Sequence, residues 1–257
     1  GGKYPAIFSD PVKGIEAKKL WEEGQLILDQ MEKDERIKPK AVYGIFPAHK
    51  TNETVFVFED EAKKKPLTRF EFLRNQEQKD RGVLNLSLAD FILPQSEKEV
   101  DYIGAFVVSA GSGADTLSQE YVDANDDYNA IMVKVMADRL AEALAELLHY
   151  QVRNNIWGYS PNEEVDIPSI IREKYRGIRP APGYPACPDH TEKYTLFNLL
   201  NAEQHTGISL TESLAMYPAS SVCGWYFAHP QSQYFGLGKI QQDQVVDYAK
   251  RKNQSLE

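Results

Sequence analysis

Between positions 180 and 188 the chain carries four prolines, within Arg179-Pro180-Ala181-Pro182-Gly183-Tyr184-Pro185-Ala186-Cys187-Pro188. Each proline fixes φ at about −65° and removes an N–H donor, so the stretch can form neither a helix nor a central strand. It has to run extended, with its carbonyls unpaired and available. Gly183 permits a positive φ or a close backbone approach. Arg179 offers a planar fork suited to a carboxylate, and Tyr184 offers an aromatic face. Such a loop suits a zwitterionic ligand with an aromatic base. The same residues equally suit a connecting loop in which Arg179 serves an internal ion pair.

The rest of the chain reads as helices mixed with short strands. Apolar residues at helical spacing, Val12, Ile15, Leu20, Ile27, Leu28 and Met31, predict a first helix. Ala41 to Ala48 is a strand stopped by Pro47, and Val55 to Phe58 is a second, the two joined by a hairpin loop at Thr51 to Thr54. A polar helix is expected near Phe70 to Asp80, and a buried strand from Asp101 to Ala110. The longest helix spans about Asp126 to Asn154, with Tyr128, Ile131, Met132, Val135, Met136, Leu140, Ala143, Leu144, Leu147 and Leu148 as its apolar positions. Thr195 to Gln204 is helical up to Gly207. Ser221 to Phe227 and Tyr234 to Ile240 form a strand pair, and Gln242 to Lys252 closes the chain as a helix. Strands and helices do not alternate regularly, which predicts an α+β fold rather than a doubly wound sheet.

Composition narrows the function classes. The 257 residues fit one large domain or two small ones and are ample for a sizeable core, with 42% hydrophobic and 26% charged residues. Lys plus Arg number 29 against 38 Asp plus Glu, a net charge of −9. An acidic chain without a basic-aromatic face argues against nucleic acid. No apolar run approaches the roughly 18 residues of a membrane span. The two cysteines, Cys187 and Cys223, cannot build a disulfide framework and fit a reducing cytoplasm.

The proline-rich segment resembles the loop of the C-terminal activation domain of cobalamin-dependent methionine synthase, which has the form Arg-x-x-x-Gly-Tyr within Arg-Pro-Ala-Pro-Gly-Tyr-Pro-Ala-Cys-Pro. Further stretches share the likeness in order along the chain. They include Gly2-Lys3-Tyr4-Pro5, Leu88-Ala89-Asp90-Phe91, Asp101-Tyr102-Ile103-Gly104-Ala105-Phe106, Asp126-Asp127-Tyr128-Asn129, Ala137 to Ala143 and Ser221 to Phe227.

The resemblance implies a single domain over residues 1–257 with a curved, helmet-like antiparallel sheet and flanking helices. The chain stops at Glu257 where the family's final helix continues, which suggests truncation. It further implies that the domain binds S-adenosylmethionine. After the cobalamin has been oxidised to the cob(II) form, flavodoxin or an equivalent reductase supplies an electron and the ligand donates a methyl group to give methylcobalamin. The cobalamin is held by a partner domain or chain. No homocysteine, folate or cobalamin-binding domain is visible here, so this chain is expected to serve methionine synthase and not to make methionine alone. A ligand sensor or docking module without methyl transfer is the alternative.

Position by position, the resemblance implies ligand contacts from Asp90, Glu142, Arg179, Ala181, Gly183, Tyr184 and Tyr234. It implies that Glu173 and His190 lie near the site or face the cobalamin. No catalytic side chain and no metal is expected. The ligand's carboxylate would suit Arg179, its cationic centres Asp90 and Glu142, its adenine the carbonyls near Ala181, and ring faces Tyr184 and Tyr234. At about 100° per residue Glu142 falls close to Val135 and Ile131, at the edge of the apolar stripe, with Asp138 and Glu146 extending an acidic column. That column also reads as a solvated helix edge, and Asp90 also reads as a turn or cap residue.

Other motifs are weaker. Gly111-x-Gly113 after a strand lacks the third glycine and the distant acidic residue of a dinucleotide fingerprint. Cys187, His190, Cys223 and His229 lack zinc spacing. His49, His149 and His205 have no triad context, and no serine sits in a nucleophile elbow.

Overall fold

Strand β4 (Asp101–Ser109) is buried over most of its length, as a strand covered on both faces must be. Its residues alternate between two cores in the computed structural model, which describes residues 4–96, 98–164 and 166–255. Ile103, Ala105 and Val107 join the larger core on one face, and Phe106 and Val108 join a second core on the other. The sheet is antiparallel and five-stranded, in the order β3-β2-β1-β4-β7, from β1 (Lys40–Thr51), β2 (Thr54–Phe58), β3 (Pro66–Glu71), β4 and β7 (Ser221–Tyr226). With its flanking helices this is the expected α+β architecture. A small ribbon of β5 (Ser209–Leu210) and β6 (Met216–Tyr217) lies apart from the sheet.

The helices are α1 (Gly14–Asp34), α2 (Ala114–Asp123), α3 (Asp127–Gln151), α4 (Ile167–Ile171), α5 (Glu192–Leu200), α6 (Ala202–Thr206) and α7 (Gln242–Lys252). α3 lies against the second core through Ala145 and Leu148, whereas α5 and α6 close the larger core through Leu196, Leu200 and Ala202. At the centre of the larger core Trp225 meets Phe70 and Phe72 edge-on, with ring centroids 5.4 and 5.2 Å apart. A third apolar cluster joins α1, α2 and α3 through Ile27, Met31, Leu117, Met132 and Val133.

Several sequence expectations are corrected. Phe70 to Asp80 is not a helix: Pro66 to Glu71 pairs with β2, with Phe70 and Phe72 fully buried. β1 is not stopped by Pro47, which opposes Tyr102 on β4. Pairing with β2 begins only at Ala48, so on that flank Pro47 interrupts no ladder. Tyr234 to Ile240 is not a strand, and the outer edge of β7 is occupied instead by the start of the proline-rich loop. On α1 only Ile27 and Met31 are core, while Ile15 is more than four-fifths exposed, as is Val12, which lies in the turn before the helix. On α3 the buried line is Ala130, Val133, Ala137, Ala141 and Ala145; Ile131, Val135 and Leu147 are exposed. Alanines let a helix approach a sheet closely, so volume is the wrong guide to its inner face. Gly1 to Lys3 and Leu256–Glu257, where the resemblance begins and truncation was expected, lie outside the described residues.

Candidate functional site

The loop from Ile178 to Pro188 is held by its backbone. Ile178 and Phe227 exchange two N–H···O bonds of 3.1 Å, and the Pro180 carbonyl accepts from Trp225 N–H at 3.0 Å. The segment thus covers β7 as a short pseudo-strand, in a place where a proline's missing donor costs nothing. Gly224 makes this approach possible, since a Cβ there would lie 2.4 Å from the Pro180 carbonyl oxygen. Further along, Gly183 N–H donates to Cys187 O at 2.7 Å, Cys187 N–H to Tyr184 O at 2.9 Å, and Leu237 N–H to Pro185 O at 3.1 Å. The expectation of unpaired carbonyls is therefore corrected: those of Ile178, Pro180, Tyr184, Pro185 and Cys187 are engaged, and Ala181 O accepts from Tyr184 N–H at 3.3 Å. Gly183 has φ of 93°, and a Cβ on it would meet the His190 ring at 2.3 Å, so only glycine fits.

This loop, α3 and the stretch after β7 enclose a cavity of about 520 Å³. Glu142, Glu173, Arg179, Ala181, Tyr184 and Tyr234 line it, with Phe235 and Val222. Six of the nine positions indicated by the resemblance therefore share one wall. Gly183 and His190 do not line the cavity and are packed on each other. Asp90 lines a neighbouring cavity of about 1070 Å³, which shares Tyr234 and Phe235 with the first. Tyr234 is fixed between the two, because its hydroxyl accepts from the Arg179 backbone N–H at 3.1 Å.

Asp90 occupies the turn at Leu88–Phe91, where Ser87 and Asp90 form a reciprocal capping box. Its carboxylate accepts from Arg74 through both arms, at 2.6 and 2.9 Å, from Lys50 at 2.8 Å and from Ser87 N–H at 3.0 Å. Burial pushes this carboxyl up, yet the bonds from Arg74, Lys50 and Ser87 outweigh it and hold it well below the usual carboxylate range. All four of its lone-pair positions are in use.

Arg179 is half-committed. Its Nη1 lies 2.7 Å from Glu146 and 2.9 Å from the Tyr175 hydroxyl, to which it donates. The internal ion pair anticipated as one reading thus exists, and Arg179 lines the cavity as well. Burial disfavours its charge, but Tyr175, Glu146 and Tyr234 more than compensate and raise its pKa. Glu142 is exposed on α3, one turn before Glu146, and faces the cavity. It lies on the outward side with Ile131 and Val135, not at the rim of a buried stripe.

Sequence reasoning did not assign roles to Glu146, His149, Tyr175, Arg74 or Lys50. The spacing Glu142, Glu146, His149 places all three along one helix line, and that was the available signal. Cys187 and Cys223 are both buried and unpaired, and burial pushes the Cys223 thiol up to about 12. Among the described residues no three His, Cys, Asp or Glu side chains converge as a metal site. Gly111-x-Gly113 is the turn from β4 into α2, beside antiparallel neighbours, and so is not part of a βαβ unit. No helix is long and apolar enough to cross a membrane among the described residues.

Residues 1–253 match the family described as vitamin B12 dependent methionine synthase, activation domain. A solved structure, "Crystal Structure of the MetH Reactivation Domain bound to AdoHcy", is 48% identical and superposes with a TM-score of 0.96, over all of this chain and 78% of that one. The loop, the cavity and these two matches together identify the chain as a member of the activation-domain family of vitamin B12-dependent methionine synthases.

Proposed function

We propose that the domain binds S-adenosylmethionine in the Arg179 cavity and holds its methyl group toward a cobalamin carried by another domain or chain. The observation that carries this reading is the convergence of Glu142, Glu173, Arg179, Ala181, Tyr184 and Tyr234 on one cavity. Its charges complement a ligand with a carboxylate, an ammonium and a sulfonium. Arg179 takes the carboxylate, Glu142 and Glu173 face the cationic centres, and Tyr184 and Tyr234 offer ring faces. An elongated ligand passing Tyr234 has room to extend toward Asp90. The related structure, which holds AdoHcy, supports the same ligand class.

The cobalamin, once reduced by flavodoxin or an equivalent reductase, supplies the nucleophile for the methyl group. The protein's own residues bind and orient; the sulfonium is already an activated leaving group, so neither a protein nucleophile nor a proton transfer is required. Such reductive methylation belongs in the cytoplasm, in keeping with the two unpaired cysteines.

Calorimetric titration with S-adenosylmethionine should show saturable binding, and the melting temperature should rise by mass action. Absence of both at millimolar ligand overturns the reading. Methyl transfer to a supplied, prereduced cobalamin domain then separates a reactivation module from a ligand sensor.

A further inference from the structure

Behind Arg179 lies a buried polar cluster that the proposed function leaves unused. His149, near the end of α3, is fully buried. Its ring stacks on Tyr226 of β7, with centroids 5.1 Å apart and planes 17° apart, and Tyr175 meets it edge-on at 5.3 Å. Nε2 lies 3.2 Å from the Tyr159 hydroxyl, and Nδ1 lies 3.4 Å from Nη1 of Arg179. The charged groups facing it are Arg179 from the loop, Arg153 from the turn after α3, and Glu146 beside Arg179. A guanidinium has no acceptor, so Nδ1 must be bare and the ring proton belongs on Nε2.

We infer that His149 is a positioning residue for Arg179: with Glu146 and Tyr175 it anchors Nη1, and this sets the plane in which the guanidinium meets the ligand. The inference rests on the reading in which Arg179 binds the ligand carboxylate. Three partners from two elements converge on one nitrogen, and among the described residues the contacts of the Arg179 side chain all run through it. Stacking on Tyr226 fixes the imidazole plane and hence the direction of its lone pair. Burial, then the charges of Arg153 and Arg179, hold the imidazole well below its ordinary pKa, so the acceptor persists at neutral pH.

Long-range nitrogen–proton NMR on the intact chain should show a neutral His149 with its proton on Nε2 from about pH 6 to 8. A proton on Nδ1, or an imidazolium at pH 7, overturns the inference. A double-mutant cycle read by S-adenosylhomocysteine titration supplies the second test. His149→Phe keeps the ring and removes the acceptor; it should weaken binding roughly tenfold, the loss of about one net hydrogen bond. In an Arg179→Ala background the same change should cost under about twofold. Equal losses in both backgrounds overturn the inference alone. A silent Arg179→Ala overturns the ligand reading as well. His149→Asn restores an acceptor near Nδ1 and should regain most of the affinity; binding no better than in His149→Phe counts against the inference. Should His149→Phe fail to fold, the NMR result on the unaltered chain decides.

Discussion

Asp90 and Glu142 border two cavities that share Tyr234 and Phe235, and the sequence offers both as contacts for a cationic ligand. Their surroundings differ. Asp90 sits in a web of two cations and a backbone donor that uses every lone pair it has. Glu142 stands exposed on an outward helix face, directed at the cavity. A carboxylate whose hydrogen bonds are complete inside the protein contributes to stability, because any new partner must displace an old one. A carboxylate still facing water can exchange that water for a ligand at small cost. Arg179 combines the two conditions, with Nη1 committed and the residue still lining the cavity.

The largest expected effect therefore belongs to Arg179→Ala. It removes a charge-assisted partner of the ligand and leaves Glu146 with Arg153, at 3.7 Å, and the Tyr175 hydroxyl, at 3.4 Å. Ligand affinity should fall by about 2–4 kcal/mol, with a lower melting temperature as well. Arg179→Lys should recover only part, since an ammonium cannot reproduce the fork. Calorimetry on both variants checks this, and unchanged affinity in Arg179→Ala would reassign the residue to structure alone.

Asp90→Asn comes next, and it should act chiefly on stability. Losing the charge leaves Arg74 and Lys50 with a weaker acceptor, at a cost of about 2–3 kcal/mol. Because the folded pKa of Asp90 is lowered, its contribution is present above the unfolded value of about 3.9 and is lost as pH falls through the folded value. The penalty of Asp90→Asn in urea titrations should thus be full at pH 7 and shrink below about pH 4. A variant as stable as the parent at pH 7 would break the contrast with Glu142.

Glu192 sharpens the contrast by reversing the sign. It is buried at the start of α5 and paired with Lys252 of α7 at 2.6 Å. Burial dominates, with Lys252 opposing it, and pushes the carboxyl up to about 7. Protonation therefore favours the folded state. Its contribution is full below the unfolded pKa of about 4.3 and lost as pH rises through about 7, on the order of 4 kcal/mol. Glu192→Gln should flatten this part of the stability profile. A parent chain whose stability rises steadily from pH 5 to 8, with the variant parallel to it, would contradict the assignment.

Much of the fold was legible because its signals are local. The periodicity of α7, the continuous apolar run of β4 and the polar hairpin after β1 can each be read within a dozen residues. The errors arose where distant partners decide. Phe70 and Phe72 look like part of a polar helix until Trp225, some 150 positions on, supplies their core. The inner face of α3 is written in alanines, which carry little hydrophobic signal of their own. Tyr234 to Ile240 has strand-like residues, but the edge it would need is already taken by Ile178 and Pro180. At the site, the proline-rich motif led to Arg179 and Tyr184, and the family resemblance to Ala181 and Tyr234. The groups that hold Arg179 in place are Glu146 and His149 on α3 and Tyr175 in the stretch that follows it; the helical spacing of Glu142, Glu146 and His149 hints at a shared line, but nothing local names Arg179 as the partner.

The smallest effect, and the most exacting for the comparison, is expected from Glu142→Gln. The side chain is exposed, and replacing a carboxylate by its isosteric amide on an outward helix face should move stability by no more than about 0.5 kcal/mol. Ligand affinity should fall by about 1 kcal/mol, because one carboxylate facing a cationic centre in a partly open cavity is screened by water. Transfer itself should follow occupancy. At saturating S-adenosylmethionine the variant should methylate a prereduced cobalamin domain at close to the parent rate, and neither protein should show a bell-shaped profile between about pH 6 and 8, since no protein acid or base takes part. If Glu142→Gln binds the ligand normally yet abolishes transfer, Glu142 does more than orient the sulfonium, and the distinction between a carboxylate that stabilises the fold and one that merely receives the ligand has to be redrawn.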